Sequence, residues 1–122
     1  MRFISFSAVA SALLLISTAS AGCYTSGDTW DDVNNAKYHV EGICREWSSG
    51  ATGSGTTRTS CKDGRSSAQH YDYLLYNQGS SRTVPFGDCV TGLTKEIGGC
   101  SRGGESCENS WCYRSDPNAG MC

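Results

Sequence analysis

Beyond residue 28 the apolar positions recur at steps of three and four: Trp30, Val33, Ala36, Val40, Ile43, Cys44 and Trp47. That period turns one stripe toward a core, so it predicts a helix over residues 28–47 capped by Asp28 or Thr29. Asp32, Asn35, His39 and Glu46 fall on the opposite, solvated side of it. A second stripe at Cys89, Leu93, Ile97 and Cys100 predicts another helix, begun by Asp88 and ended by Gly98 and Gly99. Between the two helices the period changes to two. Residues 68–76 place Tyr71, Tyr73 and Leu75 on one side of a strand and His70, Asp72, Leu74 and Tyr76 on the other. Apolar groups occur on both sides, so both are expected to be partly covered.

Weaker signals fill the rest. Residues 22–27 suit a brief strand, and residues 48–57, rich in Gly, Ser and Thr, read as a mobile loop. The β-branched run 57–62 predicts a strand followed by a tight turn at Asp63 and Gly64. Pro85 demotes residues 82–86 to an edge segment. Residues 105–115 predict a final strand or hairpin, and residues 116–120 a terminal turn. The order is that of an α+β domain, a disulfide-rich α/β sandwich with two helices packed on a mostly antiparallel sheet.

Residues 1–21 stand apart from this pattern. Arg2, the apolar run 8–16 and the small-x-small pattern of Ala19, Ser20 and Ala21 predict a signal peptide, with the mature domain occupying residues 22–122. The apolar run falls short of the roughly 20 residues that a membrane span needs. All eight cysteines follow it: Cys23, Cys44, Cys61, Cys89, Cys100, Cys107, Cys112 and Cys122. An even set in a short secreted chain reads as a disulfide framework, while the C-x2-C pairs or added histidines of a zinc site are missing. The eight allow about 105 pairings. Cys107 and Cys112 would stand roughly 16 Å apart on one continuous strand, whereas a disulfide needs about 4.4–6.8 Å. Asn109 and Ser110 offer turn chemistry between them, which predicts a hairpin tip closed by a Cys107–Cys112 bond.

Charge narrows the partners. Of ten basic and twelve acidic side chains only Arg2 precedes residue 22, and neither sign forms a block. Nucleic acid, which demands a basic stripe, is not an expected ligand. No N-x-S/T sequon, lipidation signal, calcium loop or cofactor motif occurs, so no metal or cofactor is expected.

Catalytic signals are sparse. A small metal-free ribonuclease would use His, Glu and Arg, types that His39, Glu41, Arg58, Arg65 and His70 supply without a matching motif. Asp72, Asp88, Glu105 and Asp116 are the carboxylates from which a sugar hydrolase would draw a pair, but such a pair needs a cleft. The aromatic set says more. Tyr71, Tyr73, Tyr76, Trp111 and Tyr113 interleave with His70, Asp72, Asn109 and Arg114, the mixture that stacks on a sugar face and bonds its hydroxyl rim. The candidate glycan surface is Tyr71, Tyr73, Trp111, Tyr113 and Arg114, with Asn118 from the terminal turn.

Three stretches carry a family resemblance: residues 22–27 with the helix to Cys44, residues 88–105, and residues 111–122, ending in Arg114, Asp116, Pro117, Asn118, Gly120 and Cys122. Together they resemble the small secreted cysteine-rich fungal proteins typified by the mushroom lectin called Y-three, to whose pattern Cys107 and Cys112 are additional. The resemblance implies a single-domain sandwich that pairs through sheet edges as a homodimer, binds complex N-glycan antennae on glycoproteins, and performs no catalysis. The expected role is that of an extracellular lectin in defence or competition. The alternatives are a secreted effector or killer-toxin-like protein acting on a host target, and the ribonuclease.

Overall fold

The computed structural model describes residues 22–122, and the signal-peptide reading falls outside them. Helix α1 (Val33–Tyr38) runs into α2 (Val40–Trp47), followed by β1 (Thr57–Asp63), β2 (Gln69–Asn77), α3 (Phe86–Gly99), β3 (Gly104–Glu108) and β4 (Trp111–Ala119). The four strands form one antiparallel sheet in the order β1-β2-β4-β3. The α+β architecture is as expected, with the helices in a layer on one side of the sheet.

The predicted first helix is two. Its ladder breaks at His39, although the His39 backbone stays in the helical region at φ −75° and ψ −19°. The three-and-four stepping therefore passes through the break, and Ala36, Val40, Ile43, Cys44 and Trp47 share one buried side. The N-cap is Asp32, whose carboxylate accepts from the Asn35 N–H at 3.0 Å, in place of Asp28 or Thr29. Trp30 precedes the helix, is buried all the same, and donates its indole N–H to the Cys100 carbonyl at 2.9 Å. Helix α3 starts at Phe86 with Pro85 at its N-cap, so Asp88 lies inside the first turn, where a negative charge still suits the helix dipole.

On β2 the alternation holds along all nine residues. Tyr71, Tyr73 and Leu75 enter the core with Trp111 and Tyr113 of β4 and meet Val40, Ile43, Leu93 and Ile97 of the helices. Buried hydroxyls are satisfied, as low dielectric requires: Tyr73 donates to the Ala36 carbonyl at 2.6 Å and Ser115 to the Leu93 carbonyl at 2.7 Å. Gly92 lets α3 settle onto β4, since a β-carbon there would lie 2.4 Å from the Tyr113 ring.

Several connections differ from expectation. Residues 22–27 contribute one bridge, Cys23 to Gly104, rather than a strand. Thr52, within the expected mobile loop, is buried and paired with Arg82, and its carbonyl accepts from the Asn77 amide at 2.9 Å. Residues 64–68 form a longer loop than the two-residue turn expected after β1. The expected terminal turn is strand: β4 continues through Asp116, Pro117 and Asn118 to Ala119. Pro117 lies past the last β3 pair, Gly104 with Ser115, so its missing N–H costs the sheet no bond on that side.

The cysteines pair as Cys23–Cys100, Cys44–Cys89, Cys61–Cys122 and Cys107–Cys112, leaving none free. Cys107 and Cys112 face each other across the β3–β4 hairpin, 4.0 Å between α-carbons, beside a turn in which Asn109 and Ser110 both have positive φ. That is the left-handed pair a two-residue hairpin requires. The Cys107–Cys112 loop spans 5 positions against 45, 61 and 77 for the others. Replacing Cys107 and Cys112 together with Ser is expected to cost about 2 kcal/mol and leave a cooperative fold, whereas removing Cys44–Cys89 should cost about 4 kcal/mol. Denaturant midpoints of the two double variants check the order. Gly92→Ala should cost roughly 1–3 kcal/mol by forcing α3 off Tyr113, read by thermal unfolding.

Candidate binding face of the sheet

The side of the sheet turned away from the helices is built from the other half of each strand. Cross-strand register arranges it in rows: Asp63, His70 and Asn118; Cys61, Asp72 and Asp116; Thr59, Leu74, Arg114 and Glu105; Thr57, Tyr76, Cys112 and Cys107. Its central members His70, Asp72, Leu74, Tyr76, Arg114, Asp116 and Asn118 are half-buried, and no helix crosses them. Tyr24, from the segment beside β3, stands next to Arg114 and Glu105. Burial, with the Glu105 charge, holds its hydroxyl pKa above the ordinary value while Arg114 opposes the shift.

One end of the face is a connected polar network. The Asn118 amide donates to Asp72 Oδ2 at 2.8 Å and to Asp116 Oδ2 at 3.2 Å, bridging two carboxylates that oppose each other across β2 and β4. Burial raises the Asp116 pKa, and the Asp72 charge adds to the rise, against the Asn118 hydrogen bond and Arg114. His70 closes the network, with Nε2 at 3.0 Å from Asp72 Oδ2 and Nδ1 at 3.0 Å from the Gly120 carbonyl. Both neighbours are acceptors, so only the imidazolium satisfies both, and the Gly120 carbonyl followed by Asp72 raises the His70 pKa. The same residues fasten the chain end, where the Cys122 N–H donates to Asp63 Oδ1 at 2.8 Å beside the Cys61–Cys122 bond. His70 and Asp72 also lie within 4.8 Å of the Cys61 sulfur, but its bond to Cys122 removes the thiolate that a metal would need.

The expected glycan residues divide between the two sides of the sheet. Tyr71, Tyr73, Trp111 and Tyr113 are 0, 1, 2 and 3% exposed beneath the helices and offer no ring face to a ligand. Arg114 and Asn118 stand on the open face. The aromatic groups that accompany them there are Tyr76 and Tyr24, which the expected set omitted; strand alternation already placed Tyr76 with His70 and Asp72.

Of the ribonuclease residues, His39 and Glu41 line one hollow with Arg45 and Lys62, which Arg58, Arg65 and His70 do not join. His39 lies in the helical layer, its ring 6.2 Å from that of Tyr71, and burial followed by the nearby Lys62 charge lowers its pKa. It is half-buried where a solvated position was expected. His70 is across the sheet with both nitrogens engaged. Glu41 pairs with Arg45 at the surface, Arg58 bonds Thr52 and the Ala51 carbonyl, and Arg65 pairs with Asp32. Of the four carboxylates considered for sugar hydrolysis, Asp72, Glu105 and Asp116 share the open face while Asp88 lines a 90 Å³ hollow between α3 and the hairpin.

Neither the protein-family profiles nor the curated protein sequences contain a match to this chain. Among the described residues no helix is long and apolar enough to cross a membrane.

The two histidines should titrate apart, His70 above the ordinary value of about 6.5 and His39 below it, as followed by NMR of the ring protons. Because the His70 pKa is raised on folding, its contribution to stability is full below about pH 6.5 and is lost as pH rises through the folded value. His70→Gln should remove that loss from the pH dependence of the urea midpoint.

Proposed function

We propose that this chain is a secreted carbohydrate-binding protein whose ligand lies across the open face of the sheet. The observation that carries the reading is the mixed character of that face, where half-buried Leu74 and Tyr76 of β2, and Tyr24 beside Arg114 and Glu105, are interspersed with Asp72, Arg114, Asp116 and Asn118. A sugar needs an apolar platform for its C–H face and fixed donors and acceptors for its hydroxyls, and the face supplies both on rigid strands. Four disulfides in a small domain suit an oxidising, extracellular setting. The resemblance to the mushroom lectin group points the same way.

The charge of the face narrows the ligand. Asp63, Asp72, Glu105 and Asp116 outnumber Arg114 even with His70 counted beside it, so neutral or amino-bearing glycan antennae fit it better than sialylated ones. A single shallow site binds weakly. Two copies joined through the β1 edge, which is a free edge of the sheet, would present two such sites and gain avidity.

An array of neutral, amino-bearing and sialylated glycans, probed with oxidised mature protein at tens of micromolar, tests the reading. Binding confined to the first two classes is expected, and an array without a binder would sink it. Tyr76→Ala should weaken glycan binding by about 1–3 kcal/mol in a folded variant. Growth inhibition of target cells that competing sugars leave unchanged would favour the effector reading instead.

A further inference from the structure

Glu96 is buried on the core side of α3, 3% exposed, in a helix whose other buried members are Cys89, Gly92, Leu93 and Ile97. Among the described residues Oε1 has no hydrogen-bond partner. The neighbour of Oε2 is Cys100 Sγ at 3.7 Å, and that sulfur is bonded to Cys23, so it has no proton to donate. A carboxylate held out of water without a counter-charge or donor is among the most costly arrangements a fold can contain. Its presence in an apolar stripe calls for a partner.

Gly22 stands in front of it. A β-carbon placed on Gly22 would lie 3.8 Å from Glu96 Oε1 and 3.8 Å from Oε2. The Gly22 nitrogen is bonded to the same α-carbon, about 1.5 Å away. The rest of the residue is held from three directions. The Gly22 carbonyl accepts from the Glu105 N–H at 2.7 Å, the Gly104 backbone is packed against that carbonyl so closely that a β-carbon would meet it at 2.0 Å, and Cys23 is bonded to Cys100 one helical turn beyond Glu96. The sequence independently places a cleavage pattern, Ala19, Ser20 and Ala21, directly before this glycine.

We infer that removal of residues 1–21 creates the missing counter-ion: the Gly22 α-ammonium pairs with the buried Glu96 carboxylate and fastens the chain start to α3 and β3. While Ala21 is attached, the Gly22 nitrogen is a neutral amide with one N–H. Hydrolysis adds the oxygen of water to the Ala21 carbonyl carbon and a proton to the nitrogen, which at neutral pH becomes an ammonium with three donors. Maturation thus supplies both a charge and hydrogen bonds at the point where the folded domain lacks them, and the domain reaches full stability only with its chain start at Gly22.

The test compares three forms of the oxidised chain 22–122: free Gly22, N-acetyl-Gly22 and N,N-dimethyl-Gly22. The dimethyl form keeps the charge at a bulk similar to that of the acetyl group. Acetylation is expected to reduce the folded-to-unfolded ratio at least about tenfold, by breaking a buried pair. Dimethylation, which keeps the charge and one N–H donor, should cost clearly less than acetylation. In Glu96→Gln the free form should also be less stable than the parent, and acetylation should then cost little. Equal stability of the acetyl and free forms, equal losses from acetylation and dimethylation, or the same acetylation cost in Glu96→Gln would each overturn the pairing. Should Glu96→Gln not fold, the acetyl and dimethyl forms of the parent chain decide the matter.

Discussion

The register between β2 and β4 is the constraint on which the rest of the molecule depends. Side chains alternate along both strands, so pairing Tyr73 with Ser115 and Leu74 with Arg114 commits Tyr71, Tyr73, Leu75, Trp111 and Tyr113 together to one side. A slip of one residue in either strand would turn its rings to water and its Asp and Arg side chains into the core. The helices follow from that choice, since the only large apolar surface for their stripes is the one the rings create. Covalent bonds fasten the two outer strands on either side of that pair. Cys107 and Cys112 are directly opposed and bond only in this alignment, while Cys61–Cys122 ties the outer strand to the chain end beside the His70 network.

Much of this was legible in the residues, and the failures have particular causes. The alternation of β2 was plain because its aromatic and polar residues are strictly interleaved. It could not say which side the helices cover, since Leu74 and Tyr76 make the second side partly apolar. Volume settles it in the fold: four tyrosine or tryptophan rings and a leucine fill the helix-facing layer, and the smaller polar set is left outside. The rings expected to meet a ligand are therefore core, although β2 itself was correctly read. The end of β4 was hidden for another reason. Asp116, Pro117 and Asn118 have strong turn chemistry, and only the position of Pro117 beyond the last β3 pair makes a strand tolerable there. The break at His39 left no trace because the backbone remains helical across it.

The polar network on the open face is more than decoration for a ligand. Asp72 and Asp116 oppose each other across neighbouring strands, an arrangement that repels when both are ionised. The Asn118 amide between them and the His70 ring hydrogen-bonded to Asp72 offset that repulsion. The same four residues therefore hold the β2–β4 pair together at one end and present fixed donors and acceptors to solvent. On the proposed reading, a face organised in this way before a ligand arrives would lower the ordering cost of recognition.

An uncovered sheet face has its own cost, because a single helical layer buries less apolar surface than two layers would. The disulfides offset it. Three of the four close loops of 45 to 77 positions, each contributing about 4 kcal/mol in the chain-entropy picture. The bond Cys44–Cys89 joins the helical layer to itself, Cys23–Cys100 joins the segment beside β3 to the end of α3, and Cys61–Cys122 joins the outer strand to the residues after β4. None of these depends on covering the polar side of the sheet with protein. Covalent closure stands in for a second packed layer, and the face that such a layer would have filled stays uncovered.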